Sequence, residues 1–341
     1  ADILTDGVQG FIMVAVGLLV TGLFLTGYGV EDGFTGMIDS LRVQDENLVG
    51  WLNKTDVLYH SWWAVFAVFM AHVPLGMLPH IGNKLWALKE PTQRMQFIRL
   101  AFVFALILAM LGFGGIMARV ILGEGIDSNQ ALALLFIDLF PSWFAALLGV
   151  GILAAVMSTA DGLVVSSSQI VANDLYRLSF VPRYRKDLSE EEIERRSLNI
   201  SRISTVVIMI LCTLLAWQTL DMNVTILVWI GVGCMMAAFA GPLILGSVWS
   251  GVTKAGAFAG LLTGGGVYII TYLGVINPDW FAPGYLKDIA LWLQRESPNP
   301  YSCAAMGEIA SIAVTVVVSK LTAPYPKEHI DALFGKTVPT D

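Results

Sequence analysis

The stretch GILAAVMSTADGLVVSSSQIVANDLYR, residues 151–177, decides how this chain is read. It is apolar enough to cross a bilayer, yet its middle carries Ser158, Thr159, Asp161, Ser166, Ser167 and Ser168. Polar groups at membrane depth are costly, so they face a pathway, a partner or a bound ion. Ala155, Ser158 and Thr159 are spaced i, i+3, i+4 and share one helical face. Ser and Thr hydroxyls are the smallest neutral side chains that offer a hard oxygen to a small cation, and a helix carbonyl can tilt outward to join them. These three oxygens make half a shell for sodium, too few for a dehydrated ion. The competing reading is that both hydroxyls bond the preceding carbonyls. Asp161 lies about half a turn from the Ala155 face. It reads either as a partner for a neighbouring helix or as a group tuning a second cation or proton site.

Around this segment the composition is that of a membrane protein. Of the 341 residues 56% are hydrophobic and 14% charged, with a mean hydropathy of +0.69. A soluble domain of this size is far more polar. A spanning helix needs ~20 apolar residues. Such runs lie at Gly7–Val30, Val57–Leu78, Leu100–Ala118, Phe140–Asn173, Ile203–Leu220, Met222–Trp249, Ala255–Ile276 and Pro298–Ser319. The expectation is an all-α membrane protein of about eight transmembrane helices. The runs are continuous rather than alternating, which argues against a β-barrel. Two spans carry one carboxylate each, Asp161 and Glu308, and Glu308 reads as part of a packing or interfacial pair. Lys and Arg fall unevenly on the loops: fifteen on one set and five on the other. The basic side is expected to be cytoplasmic, which puts both termini there.

Pro74 sits inside the second run. Proline lacks the helical N–H and clashes with the preceding turn, so a break near His72–Gly76 is expected. Non-helical backbone at that depth is tolerated where it lines a cavity; a packed kink without a ligand is the alternative. Ser189 and Glu192 form a capping box. Asp127–Leu139 and Tyr285–Arg295 read as short interfacial helices. The sixth run is rich in small residues, which permits close helix approach. The three cysteines, Cys212, Cys234 and Cys303, are scattered and point to neither a disulfide framework nor a metal site. The chain starts at Ala1 with no signal-peptide n-region and reads as one whose beginning is missing. No Walker motif is present.

AAVMSTADGLVVSSSQIVANDLYR resembles the sodium-binding helix of the sodium:solute symporter family. TDGVQG at 5–10 is similar to that family's TD-x-x-Q element. GMLPHIGNKLWALKE at 76–90 resembles the segment after the broken helix of the pantothenate symporters, and ARVILGEG at 118–125 is also closest to that branch. WSGVTKAGAFAGLLTGG at 249–265 is similar to W-x-R-x-T-x-x-G-A-x-x-G, with Gly251 where the family has a basic residue and Lys254 nearby.

The resemblance implies part of a LeuT-like core of two inverted repeats, with substrate and ion near the midplane at broken helices. The first span would be the last helix of repeat one. Spans two to six would form repeat two, and the last two would be peripheral. Residues 1–320 would make one transporter domain and 321–341 a cytoplasmic tail. The first several helices of a full symporter would then lie outside the chain. The resemblance implies sodium, the coupling ion, on the Ala155 carbonyl and the Ser158 and Thr159 hydroxyls. It implies Asp6 as a carboxylate on the inner ion path and Ala71, His72 and Leu75 as solute-lining. His72 is either a donor to a carboxylate or a core histidine. Ala71 and Leu75 stand where many relatives have aromatics, which argues against a proline or sugar pocket. The implied activity is sodium-coupled symport of a small organic solute, a carboxylate such as pantothenate, in a multi-pass cell-membrane protein that is not an enzyme. Its partners are the solute and the lipid bilayer, with no nucleic acid. Two other readings are the symporter-like membrane sensor of a signalling protein and a non-transporting piece.

Overall fold

The computed structural model describes residues 2–78, 81–82, 88, 90–185 and 187–334, and leaves the side chains of 2–6, 91 and 332 outside that description. Every regular element among the described residues is helical. In chain order the helices are α1 (Asp2–Thr26), α2 (Gly33–Gln44), α3 (Trp62–His72), α4 (Pro91–Ala109), α5 (Gly112–Ile121), α6 (Ala131–Leu139) and α7 (Ser142–Gln169). They continue with α8 (Glu190–Gln218), α9 (Val224–Phe239), α10 (Lys254–Tyr272), α11 (Tyr285–Glu296), α12 (Pro300–Leu321) and α13 (Lys327–Leu333). α7 runs on as a π-helix over Ile170–Phe180 and a last turn to Tyr184, and α9 runs on as a π-helix over Ala240–Leu245.

Seven helical stretches among the described residues are long and apolar enough to cross a membrane: Gly7–Thr26, Thr92–Ile121, Ser142–Tyr184, Glu190–Gln218, Val224–Val248, Lys254–Tyr272 and Pro300–Leu321. The sequence led us to expect about eight. The difference lies in the second run, where α3 has 11 residues and gives way to one 3-10 turn at Leu75–Met77. The cause is Pro74. It has no N–H for the Met70 carbonyl, four residues back, so the Val73 N–H takes that carbonyl at 2.9 Å and tightens the helix to its end.

The chain forms two compact units: residues 1–49 with 79–222, and residues 50–78 with 223–341. In the first, α1 packs against α7, α4 and α5. Gly151 lets α1 approach α7, since a Cβ there would lie 2.8 Å from the Val16 side chain. Val16, Val20, Phe136, Ala145 and Leu148 fill one cluster. Leu23, Phe24, Met37, Met117 and Leu135 fill another, with Phe24 stacked on Phe113 at 4.2 Å. The capping box opens α8 as expected, Ser189 Oγ accepting from the Glu192 N–H at 3.3 Å.

In the second unit α12 is central, contacting α3, α9 and α10. Gly256, Gly260 and Gly264 form a groove on α10 spaced every four residues. Ser319, Thr315 and Ser311 of α12 fill it in antiparallel order, so a Cβ at any of the three glycines would overlap them. The lead-in to α3 is tied to the start of α12. His60 Nε2 lies 3.0 Å from Glu296 Oε1, Asn299 Nδ2 donates to the Val57 carbonyl at 3.2 Å, and Trp63 Nε1 donates to Ser302 Oγ at 2.6 Å. The amphipathic segment ahead of it is α11, with Trp292 edge-on to Trp63 at 5.4 Å. Glu308 departs from expectation. It is 1% exposed, and among the described residues it belongs to no ion pair and its Oε1 has no hydrogen-bond partner.

Candidate cation and solute sites

α7 carries the proposed ion ligands through the middle of its length. Small residues at Gly151 and Ala154 turn one face to α1, while Ser168 turns toward α8, its hydroxyl 3.5 Å from Ser201 Oγ. By helical spacing Ser158 lies on the Gly151 side of the helix, with Ala155 and Thr159 turned progressively away from Ser168. Ala155 and Ser158 are half-buried and Thr159 is exposed. Thr159 Oγ1 donates to the Ala155 carbonyl at 3.3 Å. The structure therefore brings two of the three oxygens together and keeps the third on the same face by helical spacing. Asp161 is exposed and makes no ion pair among the described residues. No cluster of three or more His, Cys, Asp or Glu suited to a metal ion occurs among the described residues. The three oxygens of Ala155, Ser158 and Thr159 are themselves neutral.

The second candidate site lies at the end of α3. Ala71 is fully buried in a cluster with Met236, Ala237, Tyr268 and Ala304, so it lines no open surface in this structure. Leu75 is half-buried in the 3-10 turn, against the same cluster. His72 is exposed rather than a core histidine. Its Nδ1 lies 2.6 Å from the Val68 carbonyl, which can only accept, so Nδ1 is assigned the proton and Nε2 points outward. Its ring lies 4.6 Å from Trp229 and 6.0 Å from Tyr301, and those two rings are 4.3 Å apart. Aromatic walls are thus present after all, supplied by α9 and α12 rather than by α3. Reading α3 alone missed them; the signal was Trp229, in the middle of a stretch of α9 otherwise built of small and aliphatic residues. Backbone at Asp6 continues α1, while its side chain lies outside the described residues, as do Pro79 and His80.

The model of the sodium:solute symporter family matches residues 1–264. The chain belongs to that family. Its members are transporters rather than enzymes. Among curated members of the symporter family, the sodium/pantothenate symporter of Haemophilus influenzae is 27% identical over 282 residues, covering 81% of this chain and 55% of the relative. The sodium/pantothenate symporter of Escherichia coli is 25% identical over 277 residues, 79% of this chain and 54% of the relative. Sodium/proline symporter 2 of Staphylococcus saprophyticus is 27% identical over 330 residues, 94% of this chain and 58% of the relative. The chain thus spans somewhat over half the length of these symporters. Ala155, Ser158 and Thr159 of the first site and His72, Leu75 and Trp229 of the second fall inside the residues matched by the family model, whereas α11, α13 and α12 with Tyr301 lie beyond them.

Proposed function

We propose that this chain carries the sodium-binding helix and the solute-facing broken helix of a sodium-coupled symporter working by alternating access. The observation that supports it most is the pair of oxygens on α7, Ala155 O and Thr159 Oγ1, 3.3 Å apart on an open face. At the distance of about 2.4 Å that hard cations of sodium's size keep from oxygen, such a pair subtends roughly a right angle. Neighbouring ligands of an octahedral shell do the same. The bond between them does not compete with an ion. The hydroxyl donates its one hydrogen and keeps its lone pairs, and the carbonyl has a second lone pair. Ser158 Oγ is the third ligand, and the remaining ones come from outside this set. Asp6 and Asp161 are the carboxylates assigned to the ion's path.

In a LeuT-like arrangement α1 closes the first inverted repeat. α3 to α9 make the second, with α3 as its broken helix, and α10 and α12 are additions. The solute meets His72 and Leu75, with Trp229 and Tyr301 beside them. Because Nδ1 of His72 already donates to a carbonyl, Nε2 is the ring nitrogen left to meet the solute. Both solutes named for the relatives, pantothenate and proline, bear a carboxylate, and the segments resembling the pantothenate branch favour pantothenate. Counting the shorter apolar helix Trp62–Met77 as an eighth crossing, the lysine and arginine bias favours both ends of the chain on the cytoplasmic face of the cell membrane. The test is uptake of labelled pantothenate and proline by transport-deficient cells expressing the protein, with sodium replaced by choline. Uptake of pantothenate that requires sodium is the expected result; uptake of neither solute, or uptake indifferent to sodium, would remove the reading.

A further inference from the structure

α12 presents a row of polar side chains on one face: Glu308, Ser311, Thr315 and Ser319, all buried. Ser311 and Ser319 have evident employment. Pro242 cannot give an N–H to the Ala238 carbonyl four residues before it. Ser311 Oγ donates to that carbonyl at 3.4 Å and accepts the Gly241 N–H at 3.0 Å, bridging α12 to the start of the π-helix after α9. Ser319 Oγ accepts the Thr253 N–H at 3.1 Å. Glu308, one turn before Ser311, has no such role.

Glu308 lies in a fully packed stretch of α12: Ala304, Ala305 and Gly307 are all buried, and Gly307 sits against Ala237 and the Gly264 carbonyl. The titratable side chains on the helices packed around α12 are His72 of α3, Cys234 of α9, and Lys254, Tyr268 and Tyr272 of α10, with Lys254 in the first turn of α10 beside the Ser319 end of α12. None forms an ion pair or hydrogen bond with Glu308 among the described residues; His72 is bonded to Val68 and Tyr268 to the Trp229 carbonyl. On α12 itself the one basic residue is Lys320, more than three turns away.

A glutamate so placed has three possible states. As a bare carboxylate it would be stripped of water without a counter-charge, the costliest arrangement a membrane-spanning helix can hold. A metal ion would need several oxygens at the carboxylate, and the neighbouring positions on α12 are Ala304, Ala305 and Gly307, while the Ser311 hydroxyl is already shared between two backbone groups. Holding a proton at neutral pH costs only a factor of about 500 in population relative to water. We propose that Glu308 is a proton-binding site inside the membrane-spanning part of the second unit, occupied at neutral pH. The site lies beyond the residues that match the family model and does not depend on the sodium reading. A proton held this way leaves when water reaches the buried contact around Glu308. Any rearrangement that wets that contact therefore releases one proton.

The test is infrared spectroscopy of the purified protein in lipid nanodiscs at neutral pH. The expected result is a carboxylic-acid C=O band that shifts on labelling with 13C-glutamate and is lost in Glu308→Gln. Glutamine matches the neutral acid in shape and is expected to fold. If Glu308→Gln fails to fold, the labelling experiment stands on the unmodified chain. Absence of any glutamate acid band in the unmodified protein overturns the proposal. So does a Glu308→Gln spectrum that keeps the acid band and loses only carboxylate absorption.

Discussion

Replacing Thr159 by valine tests the cation site with little disturbance to the fold. Valine keeps the branched shape and exchanges the hydroxyl for a methyl. Thr159 is exposed, and its bond to the Ala155 carbonyl is a local one, four residues back on the same helix. A substitution at such a position changes stability by about 0.5 kcal/mol or less. Loss of an oxygen facing a charged group costs more, about 1.5–3 kcal/mol. At tenfold per 1.4 kcal/mol, that range weakens sodium binding by about 10- to 140-fold. Thr159→Val should therefore raise the sodium concentration for half-maximal uptake by at least about tenfold, with no matching loss of folded protein. Thr159→Ser retains the oxygen and should stay near wild type. The assay is initial uptake rate against sodium concentration at fixed solute, with thermal unfolding of the purified variants alongside. If Thr159→Val leaves the sodium half-saturation within twofold while Thr159→Ser does the same, the hydroxyl serves only its own helix, and the ligand assignment is wrong.

Two further outcomes follow from packing. Ser311→Ala should destabilise the protein by about 1–3 kcal/mol, because the Gly241 N–H and Ala238 carbonyl lose a buried partner. The same change made together with Pro242→Ala should cost less, since alanine restores the missing N–H; a double-mutant cycle on thermal unfolding reads the coupling, and simple additivity would refute it. Gly260→Val places side-chain atoms where Thr315 already sits. It should lower stability by about 1–3 kcal/mol, measured as a fall in melting temperature in detergent, and an unchanged value would mean that α10 and α12 do not pack as described.

How much of this was legible in the sequence depended on how local the cause was. The start of α8 followed from Ser189 and Glu192, three residues apart. The break after His72 followed from Pro74, whose effect reaches only to Met70. The face of α7 that holds Ala155, Ser158 and Thr159 followed from helical spacing alone. What escaped was whatever needed a second helix. Gly256, Gly260 and Gly264 were visible as small residues, but nothing in their own segment says that Ser319, Thr315 and Ser311 would fill the groove from the opposite direction. Trp229 and Tyr301 are 72 residues apart and meet only because α9 and α12 pack together. Glu308 looked like half of an ion pair because a single sequence shows the carboxylate and not the lack of a cation beside it. The second run makes a shorter helix than its hydropathy suggests for a related reason. Hydropathy continues past Pro74, while the hydrogen-bond ladder does not.

The continuous helix that begins at Ser142 and ends at Tyr184 is 43 residues long. At 1.5 Å per residue this is about twice the ~30 Å of a bilayer's hydrocarbon core. Ala155 to Thr159 lie about 20–25 Å along it from Ser142, past the middle of any membrane whose hydrocarbon begins near that end. An ion reaching these oxygens from the Ser142 side would cross most of the electric field before it is bound. Occupancy itself, and not only the later step of translocation, would then do electrical work, of about 1.5 kcal/mol at 100 mV if two-thirds of the field is traversed. Membrane potential would thereby act as a concentrating force on the site, shifting its apparent sodium affinity by about an order of magnitude without any change in the ligands.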